Sequence, residues 1–202
     1  MQKNIPELPP GIFNIVTGEA EAGKALVESM QVDKIAFTGS AEVGRQILRG
    51  VAASNLKKVS LELGGKSPNI FFADADLNAA TDGALFGVFI NQGEVCSAGS
   101  RVLVQKDIYE KFLDLMKEKT KRIKLGDPLK RETKMGPVVS EEHYERVAKY
   151  IEVGKKEAKL AMGGGRPKGF KKGFYVEPTI FETDNTTRSE EHTSELQSRT
   201  LI

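Results

Sequence analysis

Three stretches of this chain carry residue types that could do chemistry together. The single cysteine of the 202 residues, Cys96, stands in the run Asn91-Gln92-Gly93-Glu94-Val95-Cys96-Ser97-Ala98-Gly99-Ser100-Arg101. A lone thiol has two readings. Free cysteine often packs as a small buried hydrophobe, whereas a thiol on a loop between two elements is where nucleophiles are usually placed. Gln92, Gly93, Glu94, Ser97 and Gly99 are too polar and too rich in glycine for a core, which favours a working thiol. With a reference pKa of about 8.5, that thiol needs help to ionise at neutral pH.

Glu62 closes an otherwise apolar strand pattern at 57–63 and is the better candidate for help. A carboxylate there is either half of a structural ion pair or a general base, whose pKa semi-burial would raise toward neutrality. The chain has only two histidines. His143 sits at a charged, exposed helix start and His192 in a polar tail, so a cysteine–histidine pair is the lesser reading. The third stretch, Phe37-Thr38-Gly39-Ser40-Ala41-Glu42-Val43-Gly44, joins a strand to a helix start. Free amides and the helix dipole there suit a phosphate, but glycine turns of this kind also arise from packing alone. Lys66 is either a charge near phosphate or a locally paired lysine.

The elements that must position these groups alternate. Pro9-Pro10-Gly11 reads as a turn and 12–16 as a buried strand. A helix opens between Gly18 and Gly23, with Leu26, Val27 and Met30 at helical spacing. A strand at 34–37 leads through Thr38-Gly39-Ser40 into a helix with Val43, Ile47, Leu48 and Val51 on one face. The strand at 57–63 follows. Strand, helix, strand, helix, strand with short links predicts a parallel sheet with right-handed crossovers, half of a doubly wound nucleotide-binding fold. Such sheets bind ligands at the carboxyl ends of their strands, where Glu62 and the Gly39 turn fall.

Beyond Gly64-Gly65-Lys66-Ser67, 68–72 reads as a strand, and Asp74-Ala75-Asp76 caps a helix to about residue 90. The thiol loop follows, then a strand at 101–105. Asp107 starts an amphipathic helix through 123, with Phe112, Leu115 and Met116 on one side, and Gly126-Asp127-Pro128 stops it. Ser140-Glu141-Glu142-His143 has capping-box character and opens a helix to about 154. A strand pair is expected at 174–176 and 179–181. The final stretch, 188–202, is polar and without apolar periodicity, so it reads as disordered or weakly helical. It also resembles the translation of a sequencing adapter, and it is set aside on both grounds.

Composition limits the partners. The 39% hydrophobic and 29% charged residues are ordinary for a globular protein. A net charge of +2 gives no electrostatic footprint for nucleic acid or a membrane surface. The basic run 117–124 reads as the solvated face of a helix. No apolar run nears the roughly 18 residues needed to span a bilayer. One cysteine excludes an internal disulfide and suits a reducing compartment, so the expectation is a cytoplasmic protein.

The thiol run resembles the active-site segment of the NAD(P)-dependent aldehyde dehydrogenases, from its asparagine-glutamine-glycine to its alanine-glycine-serine-arginine. Glu62-Leu63-Gly64-Gly65-Lys66-Ser67-Pro68 resembles the family's second signature, and Cys96 follows Glu62 by the family's usual 34 residues. The resemblance implies Cys96 as nucleophile and Glu62 as the base that activates the water hydrolysing a thioester. It places Gly18, Gly39, Ser40, Val43, Gly44 and Leu63 along a bound NAD or NADP. The implied partners are a small aldehyde and further copies in a dimer or tetramer.

The implied fold is α/β: a partial Rossmann-like parallel sheet joined to the first part of an α/β catalytic domain, truncated at both ends. Its expected divisions are 1–64 for dinucleotide binding, 65–187 for the thiol-bearing catalytic part, and 188–202 as the tail. The resemblance runs from about residue 8 to 188. The family's glycine two positions after Gly18 is replaced by Ala20. The family's ribose-gripping lysine, oxyanion-hole asparagine and later glutamate-isoleucine-phenylalanine-glycine-proline segment have no counterpart, so the chain is expected to be an internal fragment, inactive alone and poorly folded. Two other readings stay open: nucleotide or partner binding without turnover, and a cofactor-independent thiol hydrolase.

Overall fold

A computed structural model describes Pro9 and residues 11–183. The tail, His192 and Pro10 of the expected turn lie outside the described residues. The chain divides into two compact units, Met1–Glu62 and Leu63–Ile202.

In the first unit, α1 (Ala20–Glu28), β1 (Lys34–Gly39), α2 (Ala41–Ala52) and β2 (Lys58–Leu63) follow in order, and β1 pairs with β2. Each strand alternates with period two. Ile35, Phe37, Val59 and Leu61 pack on a core of Val27, Ile47 and Val51 from the helices, while Lys58, Ser60 and Glu62 are exposed. Gly50 lets α2 approach α1 closely, because a Cβ there would stand 2.6 Å from Val27 Cγ1. Buried Lys57 caps α1, its Nζ donating to the Val27 carbonyl and to Ser54 Oγ at 3.1 Å. The strand expected at 12–16 is absent. Ile12, Phe13, Ile15 and Val16 are 63–75% exposed and form no ladder. Apolar composition alone does not make a strand without a neighbour for its backbone groups.

The second unit holds β3 (Pro68–Phe71), α3 (Leu77–Phe89), β4 (Arg101–Val104), α4 (Tyr109–Thr120), α5 (Glu141–Glu157), β5 (Lys159–Met162) and β6 (Ile180–Glu182). Asp76 starts α3 by accepting from the Asn78 and Ala79 amides at 2.9 and 3.0 Å. β3 and β4 are parallel, Pro68 opposite Arg101, with α3 as the crossover. Ala84, Leu85, Val88 and Phe89 of α3 meet Phe112, Leu113 and Met116 of α4, joined by Met135 and Ile180. Burying a side chain the size of Phe112 or Met116 contributes about 1.5–3 kcal/mol. A second cluster, Val138, Ile151, Val176 and Phe181, anchors α5.

The expected strand pair at 174–176 and 179–181 is corrected. Tyr175 and Val176 are buried without strand pairing, and β6 pairs antiparallel with β5, an element the sequence reading did not include. α5 runs on to Glu157, past the end expected near 154, and β5 begins only two residues later.

Candidate active site

Two loops meet at one edge of the β3–β4 pair. Because these strands are parallel and in register, residues 64–67 entering β3 and 94–100 entering β4 arrive at the same end. Their contacts confirm the meeting within the second unit. A Cβ built on Gly65 would lie 3.6 Å from the Cys96 carbonyl oxygen. One built on Gly99 would lie 3.1 Å from Asn69 Cβ. Arg101 Nε donates to the Lys66 carbonyl at 3.1 Å, and Lys66 Nζ to the Gly65 carbonyl at 2.8 Å.

The thiol of Cys96 is exposed, with Gly93 and Ala98 buried on either side of it. Just upstream, α3 breaks into a tight turn, Ile90–Gly93, in which Asn91, Gln92 and Gly93 all have left-handed backbone, φ 50°, 59° and 81°. For Gln92 this costs about 1–2 kcal/mol, and for Asn91 less, because a short amide side chain tolerates the region. Such backbone persists only where the surroundings hold it.

Four contacts do so. Gln92 Oε1 accepts from the Gly136 amide at 3.2 Å. Asn91 Nδ2 donates to the Glu94 carbonyl at 3.2 Å, and the Glu94 amide returns to the Asn91 carbonyl at 2.9 Å. Glu94 Oε1 lies 3.4 Å from His143 Nε2 at the start of α5. Among the described residues, the Cys96 amide N–H meets no acceptor.

His143 differs from expectation. Its side chain is 17% exposed rather than solvated, and Ser140 caps the helix beneath it by accepting from the His143 amide at 3.1 Å. Burial holds the His143 pKa below the usual imidazole value, with Arg146 acting in the same direction and Glu94 and Glu142 against it.

Glu62 is the penultimate residue of β2 and is exposed, where semi-burial was expected. Alternation explains this: the residues between which it sits, Leu61 and Leu63, face the opposite side of the strand. Leu63, half-buried, ends the strand, and only Leu63 and Gly64 separate Glu62 from Gly65 in the chain.

At the other candidate turn, Ser40 is the N-cap of α2, its Oγ accepting from the Val43 amide at 3.3 Å. At Gly39 a Cβ would fall 2.2 Å from the Phe37 ring, so any side chain there would displace that ring. Gly44 is buried, its amide bonded to the Ser40 carbonyl at 3.0 Å, and Val43 is 40% exposed. Glu42 of the first turn pairs with Arg45 at 3.6 Å. Gly18 precedes α1, and a Cβ there would approach Ala22 Cβ to 2.9 Å.

The model of the aldehyde dehydrogenase family matches residues 3–195. The chain belongs to the aldehyde dehydrogenase family. The match reaches into the stretch set aside as a tail, to residue 195. An aldehyde dehydrogenase of Alternaria alternata is 52% identical over 174 residues, 86% of this chain and 35% of that protein. Among solved structures, gamma-glutamyl-gamma-aminobutyraldehyde dehydrogenase from Burkholderia cenocepacia aligns with a TM-score of 0.91 at 42% identity, covering 97% of this chain and 39% of that one. Betaine aldehyde dehydrogenase from Staphylococcus aureus, solved with NAD+, aligns with a TM-score of 0.86 at 39% identity, over 93% of this chain and 37% of that one. This member of the family thus spans 35–39% of the length of these relatives. The mixed α/β fold was legible from the sequence. The ties from Gln92 to Gly136 and from Glu94 to His143 were not, because nothing in sequence spacing links groups so far apart.

Among the described residues no helix is long and apolar enough to cross a membrane, and no group of three or more His, Cys, Asp or Glu could hold a metal ion.

Proposed function

We propose that the protein carrying this chain oxidises a small aldehyde to a carboxylic acid with NAD or NADP, and that Cys96 and Glu62 do the covalent work. The observation that carries this reading is the exposed thiol three residues beyond a left-handed turn tied to Gly136, in the motif of a family of aldehyde oxidisers. Cys96 Sγ attacks the aldehyde carbonyl carbon, forming a C–S bond and an oxyanion. The Cys96 N–H is free to donate to that oxygen, a contact of the kind worth about a hundredfold or more in rate. Once the C–H bond of that carbon has broken with loss of hydride, the oxyanion collapses to C=O and the carbon is held as a thioester. Glu62 takes a proton from water, the water oxygen adds to the thioester carbon, and the C–S bond breaks to release the acid.

Within this reading, 1–64 serves the dinucleotide and 65–187 the thiol chemistry. The residues at the α2 N-terminus fit a dinucleotide: the first-turn amides lie at the positive end of a helix of 12 residues, and Val43 offers apolar surface. Gly18, Gly39, Ser40, Val43, Gly44 and Leu63 would line it. The nicotinamide, when bound, accepts the hydride. The reading also takes the protein as cytoplasmic, where a single thiol stays reduced, and as a dimer or tetramer. Betaine aldehyde dehydrogenase among the relatives was solved with NAD+, which supports NAD as the first cofactor to try.

The test is aldehyde-dependent NADH formation by the longest polypeptide that contains this chain, beside its Cys96→Ser variant. Loss of NADH formation in the variant supports the reading, and an undiminished rate overturns it.

A further inference from the structure

Gln92 reaches out of the thiol loop to a fixed point. Its Oε1 accepts from the amide of Gly136, 44 positions along the chain. Gly136 is buried between Met135, in the α3–α4 core, and Val138, in the α5 cluster, whose own amide bonds to the Phe174 carbonyl at 3.0 Å. The anchor is therefore buried backbone whose chain neighbours sit in the two hydrophobic clusters, which limits its movement. Asn91, by contrast, bonds within the loop.

We propose that Gln92 is a positioning residue for Cys96. By tying the left-handed Asn91-Gln92-Gly93 turn to Gly136, it fixes the direction in which residues 94–98 leave the turn. That sets the Cys96 amide N–H beside its own sulfur, so that both can address one carbonyl group. This inference rests on Cys96 being the nucleophile.

Two reactions of the longest polypeptide that contains this chain separate positioning from mere stability. Acylation by 4-nitrophenyl acetate forms a C–S bond, breaks the ester C–O bond with loss of 4-nitrophenolate, and leaves the thiol proton to the buffer. It passes through an oxyanion that the Cys96 amide can stabilise. Alkylation by iodoacetamide also occurs at Sγ, displaces iodide, and needs no oxyanion donor. Gln92→Met keeps the length and loses the acceptor, Gln92→Asn keeps the amide and loses the reach, and Gln92→Glu keeps an acceptor in place. The Met and Asn variants should acylate about tenfold more slowly, as expected when one donor is misaligned rather than removed. Their alkylation should stay within about twofold, and Gln92→Glu should recover the acylation rate.

Wild-type acylation rates in the Met and Asn variants would overturn the role of Gln92 alone, as would equal falls in both reactions without recovery in Gln92→Glu. Wild-type protein of that length acylating no faster than the same protein unfolded in urea would instead remove the nucleophile reading, and this inference with it.

Discussion

At the Gly39-Ser40 turn, every residue identity is explained by near neighbours. Phe37 leaves no room for a Cβ on Gly39, and Ser40 caps the helix it begins. At the thiol loop two of the four supporting contacts come from Gly136 and His143, far along the chain, and the supported backbone is costly. A turn made by packing would exist with or without a ligand, so its glycine and serine say little about one. A loop held against its own preference so that a thiol faces solvent has no such account, and strain of that kind collects at functional sites.

The largest effect should separate the two regions outright. Cys96→Ser is expected to lower aldehyde-dependent NADH formation by roughly a thousandfold or more while leaving the thermal midpoint in place. An activity that survives, or a midpoint that drops, would put the thiol in the same structural class as Gly39. The converse change is Gly39→Ala. Its Cβ collides with the Phe37 ring, so denaturant unfolding should show a loss of about 1–3 kcal/mol. Iodoacetamide should still alkylate Cys96 at the wild-type rate under native conditions. Ser40→Ala is a milder version, losing the cap of α2 and about 1 kcal/mol by the same measurement.

The smallest effect concerns pH. Because His143 has a folded pKa below its unfolded value of about 6.5, the unfolded chain binds the extra proton first as pH falls. Stability should therefore decline as pH drops from about 6.5 through the lower folded pKa, and His143→Gln should flatten that part of the profile. The same variant should keep its esterase rate at neutral pH. Loss of esterase activity and of iodoacetamide alkylation together would instead make His143 the base for Cys96 and revive the thiol hydrolase.

The sequence was informative where structure follows from local pattern. The periodicities of 41–52 and 109–120, the Asp76 and Ser140 caps, and the paired signatures around Glu62 and Cys96 all lie within short windows. It misled where pairing or exposure depends on distant partners. Residues 12–16 look like a strand but stand exposed, and β6 at 180–182 pairs with β5 rather than with 174–176, where the apolar spacing pointed. Glu62 looks enclosed in an apolar run, yet period-two alternation turns it outward. The clamp on the thiol loop is long-range in the same sense, and no local rule reports it.

The pairing of Cys96 with Glu62 is most directly tested by following one acyl group. After a brief exposure to 4-nitrophenyl acetate, peptide mapping by mass spectrometry should find acetyl on Cys96. In the wild-type protein it should be lost on standing, whereas in Glu62→Gln it should persist at least about a hundredfold longer. Acetyl scattered over lysines, or leaving Cys96 equally fast in both proteins, would contradict the account.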